Sequence, residues 1–150
     1  MKEKKQKEIV ILLVEDNPVD IEITRRAFEK SNIKYKLCAV RDGEEALDFL
    51  YHKGQYADGG QAPRPDLILL DINLPRIGGI DVLKTLKADP DLKRIPITML
   101  TVSDKDEDII RSFDLGVNSY ITKPVDFNKF VEAMKTHHFY WTVITELPPK

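Results

Sequence analysis

The sequence predicts an α/β domain built on a doubly wound, five-stranded parallel sheet, and three observations carry that prediction. Short apolar runs without alternation, such as Ile9 to Val14 and Leu67 to Leu70, suit strands covered on both faces rather than half-wet ones. Between the runs lie stretches of helical periodicity that open on cap residues. The alternation continues to a total of five strands and five helices, and strands joined through helices run parallel, with right-handed crossovers and helices on both faces.

Ile9-Val10-Ile11-Leu12-Leu13-Val14 is the first strand and runs into Glu15-Asp16-Asn17. Asn17 suits an N-cap, Pro18 the first helical position, and Asp20 the positive first turn of a helix that continues through Ile21, Thr24, Arg25 and Phe28 to about Lys30. Tyr35 to Val40 reads as the second strand. Asp42 then caps a helix over Gly43 to Leu50, with Glu45 three residues on. Lys53 to Arg64, carrying Gly54, Gly59, Gly60 and Pro63, reads as one long exposed loop.

Leu67 to Leu70 is the third strand, and Asp71 stands where it breaks off into the Pro/Gly-rich turn Asn73-Leu74-Pro75-Arg76-Ile77-Gly78-Gly79. Ile80 to Lys87 forms a helix with an apolar stripe at Val82, Leu83 and Leu86, stopped by Asp89-Pro90. Ile95 to Thr101 is the fourth strand, with Pro96 near its start, where a missing N–H is tolerable. Ser103-Asp104-Lys105-Asp106 matches a capping pattern, so a helix is expected over Asp104 to Leu115, closing near Gly116. The last strand is read over Val117 to Thr122 and ends at Lys123-Pro124. Asp126 caps a last helix with Phe127, Phe130, Val131, Met134 and His138 at helical spacing, and the following Phe139 to Lys150 is aromatic and apolar for a terminus.

Composition narrows the function. A chain of 150 residues fits one domain, and 42% hydrophobic residues with a net charge of −2 point neither to disorder nor to nucleic acid. A protein partner is expected instead. The lone Cys38 excludes an intramolecular disulfide and a multi-cysteine zinc site, and reads as a small buried hydrophobe. No run approaches the roughly 20 apolar residues of a membrane helix, and no signal-peptide pattern follows the lysine-rich start, so a soluble, cytoplasmic protein without membrane contact is expected.

In doubly wound sheets ligands bind beyond the carboxyl ends of the strands. Glu15 and Asp16 end the first strand, Asp71 the third, Thr101 the fourth and Lys123 the fifth. One strand-end aspartate is a turn residue; three carboxylates, a hydroxyl and a lysine on one rim make a site. Clustered carboxylates without His or Cys suit a hard ion such as Mg²⁺, which keeps open positions for phosphate oxygens. An aspartate can serve as a nucleophile that becomes an aspartyl phosphate, with Thr101 and Lys123 as hydrogen-bond donor and point charge for the phosphoryl oxygens. No Walker-type loop is present, which argues against a nucleotide donor.

Val14-Glu15-Asp16-Asn17, Leu69-Leu70-Asp71-Ile72-Asn73-Leu74-Pro75 with Gly79, Leu100-Thr101 and Tyr120-Ile121-Thr122-Lys123-Pro124, in this order, resemble the receiver domains of two-component response regulators. The resemblance implies a flavodoxin-like fold of strand order 2-1-3-4-5 with the receiver over residues 8–140; the lysine- and glutamate-rich residues 1–7 read as a charged disordered tail, and 141–150 as a C-terminal extension. It implies a stand-alone signalling protein, not an enzyme with its own substrate, in which Asp71 accepts phosphate from a sensor histidine kinase. Asp16, Asp71 and the Asn73 carbonyl would hold Mg²⁺, Glu15 would help through water, Thr101 and Tyr120 would be the switch pair, and the Lys123-Pro124 bond is often cis in the family. The approach Leu92-Lys93-Arg94-Ile95-Pro96 and the tail ending Leu147-Pro148-Pro149 are similar to regulators paired with phytochrome-type kinases. There the last helix and tail help form a homodimer, which would bury Phe139, Tyr140, Trp141 and Val143; the alternative is that these fold back on their own domain.

Gly78 stands where receivers usually carry Asp, and Val102 stands where a smaller residue is commoner after the switch threonine. Asn73 and Ser103 cannot act as carboxylate bases toward a hydrolytic water, so dephosphorylation should not be especially fast. The nearest rival is a Mg²⁺-dependent phosphatase of haloacid-dehalogenase type. That class carries an acid two positions after the nucleophile and a cap segment, whereas this chain has Asn73 and no cap. An FMN carrier of flavodoxin type would need a Ser/Thr/Gly phosphate loop where Glu15-Asp16 stands.

Overall fold

The structure is a computed structural model that describes residues 8–31, 33–102, 107–117 and 119–134. The strands are β1 Ile9–Val14, β2 Tyr35–Val40, β3 Leu67–Asp71, β4 Ile97–Thr101 and β5 Tyr120–Thr122; the helices are α1 Pro18–Glu29, α2 Gly43–Tyr51, α3 Gly79–Ala88, α4 Glu107–Asp114 and α5 Phe127–Met134. All strand pairs are parallel and the sheet order is β2-β1-β3-β4-β5, as the resemblance implied.

The continuous apolar runs have a simple cause. Successive side chains of a strand point to opposite faces, and here both faces are covered. Ile9, Ile11 and Leu13 of β1 join Leu67 and Leu69 of β3 in one core with Phe28 of α1 and Phe130 of α5. Leu12 and Val14 join Ile68 and Leu70 in the other, with Val82, Leu83 and Leu86 of α3. Phe28 and Phe130 meet edge to face at 4.7 Å, a contact that adds about 0.5–1.5 kcal/mol beyond burial and ties α1 to α5.

The caps follow the sequence with small differences. Asn17 Oδ1 accepts the N–H groups of Val19 and Asp20, Asp42 Oδ1 that of Glu45, and Asp126 Oδ1 that of Lys129. Glu45 Oε1 in turn accepts the N–H of Arg41, at 2.9 Å, rather than that of the cap residue. Three expectations need correction. β4 begins at Ile97 because Ile95 closes a 3-10 turn, donating its N–H to Leu92. β5 begins at Tyr120 because Gly116 at φ +90° and the N–H of Val117 bonded to Ser112 still belong to the end of α4. The loop before β3 is anchored rather than freely exposed: it holds a 3-10 turn over Gly54–Tyr56, Tyr56 donates to Glu45 Oε2 at 2.7 Å, and His52 Nε2 meets the Ala62 carbonyl at 2.8 Å.

Cys38 is half-buried, and burial pushes its thiol up, with Lys36 partly offsetting it. No helix among the described residues is long and apolar enough to cross a membrane. The charged start at residues 1–7, the cap at Ser103, the start of the fourth helix at Asp104, and His138, Phe139, Tyr140, Trp141 and Val143 lie outside the described residues.

Candidate functional site

Strand alternation builds the site. Glu15 continues the parity of Ile11 and Leu13, Asp71 that of Leu67 and Leu69, and Lys123 that of Ile121, so all three leave the sheet on the α1/α5 side. Each is held by its own backbone. The N–H of Glu15 extends the β1–β2 ladder to Val40 at 2.9 Å, and the N–H of Lys123 bonds the Thr101 carbonyl at 2.7 Å. The Lys123-Pro124 bond that follows is cis.

The loop after Asp71 is closed by the Gly79 N–H on the Ile72 carbonyl at 3.1 Å. Gly79 has to be glycine, since a Cβ there would run into the Asp71 carbonyl oxygen and the Ile72 Cα. On the far side of the loop a Cβ at Gly43 would strike Ile77, and Arg76, at φ +64°, pairs with Glu44 of α2 at 2.6 Å. The turn between β3 and α3 is thus shaped by α2 as well as by its own residues.

The carboxylates of Glu15, Asp16 and Asp71 have oxygens all within 4.8 Å of one another. Glu15 and Asp71 are 1% and 3% exposed, while Asp16 faces solvent. Lys123 Nζ lies 2.6 Å from Glu15 Oε1 and 2.9 Å from Asp71 Oδ2. Asp71 Oδ1 accepts the N–H of Asn73 at 3.1 Å, and Glu15 Oε2 that of Asn17 at 3.2 Å. Thr101 is fully buried beside this group, one strand over from Asp71. Tyr120 lies apart from it, 37% exposed on β5, along a cavity of about 490 Å³ shared with Asn128 and Glu132.

Two carboxylates under 5 Å apart repel by roughly 3–4 kcal/mol at an effective dielectric of 20, and one ammonium cannot neutralise three. Glu15 registers the imbalance. Burial raises its carboxyl, Lys123 draws it down and the neighbouring Asp71 raises it again, for a net value of about 7. Burial alone would lower the Lys123 ammonium, but Asp71 and Glu15 more than reverse this and hold it well above the ordinary lysine value. Three oxygen donors with excess negative charge and no sulfur or imidazole among them fit a hard divalent cation.

The structure therefore brings Glu15, Asp16, Asp71, Asn73, Thr101 and Lys123 to one rim and leaves Tyr120 on the neighbouring surface. Glu15, which the resemblance would have help the metal through water, belongs to the same carboxylate cluster and also touches Lys123 directly. Sequence reasoning missed Asp20, whose Oδ2 reaches Lys123 Nζ at 3.3 Å. Its place in the first turn was fully explained by the helix dipole; the signal was its position three residues after the cap that follows Glu15-Asp16, on the turn nearest the site.

Comparison with known proteins agrees with this geometry. The family model of the response regulator receiver domain matches residues 11–135. The response regulator Rcp1 of Synechocystis sp. is 40% identical over 139 residues, covering 93% of this chain and 92% of the relative. Among solved structures, the bacteriophytochrome response regulator AtBRR is 43% identical with a TM-score of 0.79, covering 86% of this chain and 91% of its own. The Mn²⁺-bound form of response regulator Rcp1 is 40% identical with a TM-score of 0.73, covering 94% and 99%. A parallel 2-1-3-4-5 sheet that gathers carboxylates and a lysine at one rim, together with these matches, identifies the chain as a member of the response regulator receiver family of two-component signalling.

Proposed function

We propose that Asp71 accepts a phosphoryl group from the phosphohistidine of a sensor histidine kinase, and that the phosphorylated chain signals by changing a protein-contact surface. The observation that supports this most is a nearly buried Asp71 carboxylate, clustered with Glu15 and Asp16 and met at 2.9 Å by Lys123. The similarity to bacteriophytochrome regulators favours a phytochrome-type kinase as donor.

In the transfer an Asp71 carboxylate oxygen forms the bond to phosphorus while the phosphorus–nitrogen bond breaks; the electron pair leaves on the imidazole, which takes up a proton. Asp16, Asp71 and the Asn73 carbonyl, with Glu15 alongside, are the groups that would hold Mg²⁺, which when bound neutralises charge on the phosphoryl oxygens. Lys123, 2.9 Å from Asp71 Oδ2, supplies a second positive charge. The Thr101 hydroxyl donates to a phosphoryl oxygen, and Tyr120, on the adjacent surface, reports the change. Burial of Glu15, Asp71 and Thr101 keeps the acyl phosphate away from bulk water.

Incubation with acetyl phosphate and Mg²⁺, followed by intact mass and size exclusion, tests the reading. One added phosphate is expected on the wild type and none on Asp71→Asn, with assembly to a homodimer through the last helix and tail. Asn73 offers no carboxylate to activate water, so the acyl phosphate should outlast seconds after the donor is removed. Equal mass gain by Asp71→Asn would refute Asp71 as the acceptor.

A further inference from the structure

Asp20 stands in the first turn of α1, 27% exposed, with its Oδ2 3.3 Å from Lys123 Nζ. It is not among the three carboxylates close enough together to share a cation, so its route into the site runs through the lysine. Its backbone is tied on both sides. The N–H donates to Asn17 Oδ1 at 3.3 Å, and the carbonyl accepts the hydroxyl of Thr24, itself buried, at 2.8 Å. An ammonium carries three protons, and Glu15, Asp71 and Asp20 lie around this one at 2.6, 2.9 and 3.3 Å.

We propose that Asp20 is a positioning residue for Lys123, holding the ammonium from the α1 side so that it keeps its place when Asp71 is drawn into a bond to phosphorus. This rests on the reading of Asp71 as phosphoacceptor. Bonding to phosphorus removes negative charge from Asp71 and weakens its pull on the lysine. Until a phosphoryl oxygen takes its place, Glu15 at 2.6 Å is the closest carboxylate left to the ammonium. That point charge sits on a flexible four-carbon stem, which can swing out of line with the incoming oxygen. A second anchor on a capped helical turn prevents that movement.

The test compares wild type, Asp20→Asn and Asp20→Glu. In ¹⁵N-labelled, metal-free protein the Lys123 ammonium signal, assigned by its loss in Lys123→Arg, reads the anchor without any phosphorylation. Its protons are expected to exchange with water roughly threefold faster or more in Asp20→Asn, and near the wild-type rate in Asp20→Glu. With acetyl phosphate, Asp20→Asn is expected to gain phosphate roughly tenfold more slowly, at an unchanged Mg²⁺ half-saturation, and Asp20→Glu to recover most of the rate. Wild-type exchange and wild-type rate in Asp20→Asn would overturn the proposal. So would a Mg²⁺ half-saturation raised as far as in Asp16→Asn, which would make Asp20 a metal ligand. If the wild type itself gains no phosphate, the reading of Asp71 fails separately, and the exchange comparison still decides whether Asp20 holds the lysine.

Discussion

β3 carries an aspartate at each end, and the two do opposite work. Asp66, just before the strand, exchanges two hydrogen bonds with Val10: its N–H donates to the Val10 carbonyl at 2.7 Å, and its Oδ2 accepts the Val10 N–H at 2.8 Å. Its acceptor capacity serves the backbone, and it fixes the register of β3 against β1. Asp71, five residues on, has one oxygen on the Asn73 N–H and the other on Lys123, in the company of two further carboxylates. The same side chain is structural where its partners are backbone donors and chemical where its partners are charges in excess.

The sharpest way to break the comparison is to remove each in turn. Asp71→Asn is expected to abolish phosphate uptake entirely while leaving thermal unfolding unchanged or higher, because it relieves repulsion with Glu15 and Asp16. Asp66→Ala should retain phosphate uptake and lose about 1–2 kcal/mol of stability, measured by urea unfolding, since the Val10 N–H loses its acceptor. Loss of uptake in Asp66→Ala at full stability would show that the two ends are not separable.

A second contrast lies in the adjoining glycines of the turn that follows β3. Nothing lies within 4 Å of a Cβ built at Gly78, whereas one at Gly79 meets backbone atoms of residues 71 and 72. Gly78→Ala should fall within about ±0.5 kcal/mol of wild type, as surface changes do. Gly79→Ala should cost about 3 kcal/mol, at the upper end for overpacking, because backbone cannot turn aside as a side chain can. It should also slow phosphate uptake, since the atom displaced is the carbonyl of Asp71 itself. Equal stability of the two variants in urea would contradict the packing described.

These cases explain what was legible in the sequence. Strand ends were legible because an apolar run that stops at a charged residue marks both the buried segment and its rim, which placed Glu15, Asp71 and Lys123 together. The face they share was not read from these runs, which do not alternate; it follows from the packing of the folded strands. The start of β5 was not legible, because Val117 is apolar and β-branched yet lies in the turn after Gly116, where backbone geometry outweighs propensity. Nor was the anchored loop before β3, whose holdfasts are hydrogen bonds from Tyr56 and His52 to residues ten or more positions away. Asp20 was hidden by sufficiency: one local explanation, the helix dipole, left nothing to account for.

The smallest expected effect concerns charge at the opposite end of the molecule from the site. Asp89 follows α3, and its Oδ1 accepts the N–H groups of Leu92 and Asp91 at 2.9 and 2.8 Å, while Oδ2 accepts the Tyr51 hydroxyl at 2.8 Å. The Leu92 N–H first, then Tyr51 and the Asp91 N–H, hold this carboxyl below its ordinary value of 3.8, whereas burial and Asp71 raise Glu15. Donors favour the charged form; desolvation and like charge disfavour it. A folded value below the unfolded one means that Asp89 stabilises the protein above the ordinary carboxyl range and loses that contribution as pH falls through the folded value. Asp89→Asn should therefore melt below wild type near pH 7, with the gap closing as the pH drops below about 4. Tyr51→Phe, which removes one donor of three, should show a smaller gap that closes over the same range. A gap that stayed constant from pH 7 to pH 3 would mean that the hydrogen bonds act by shape alone, and that the carboxylate charge does no more at this end of the molecule than an amide would.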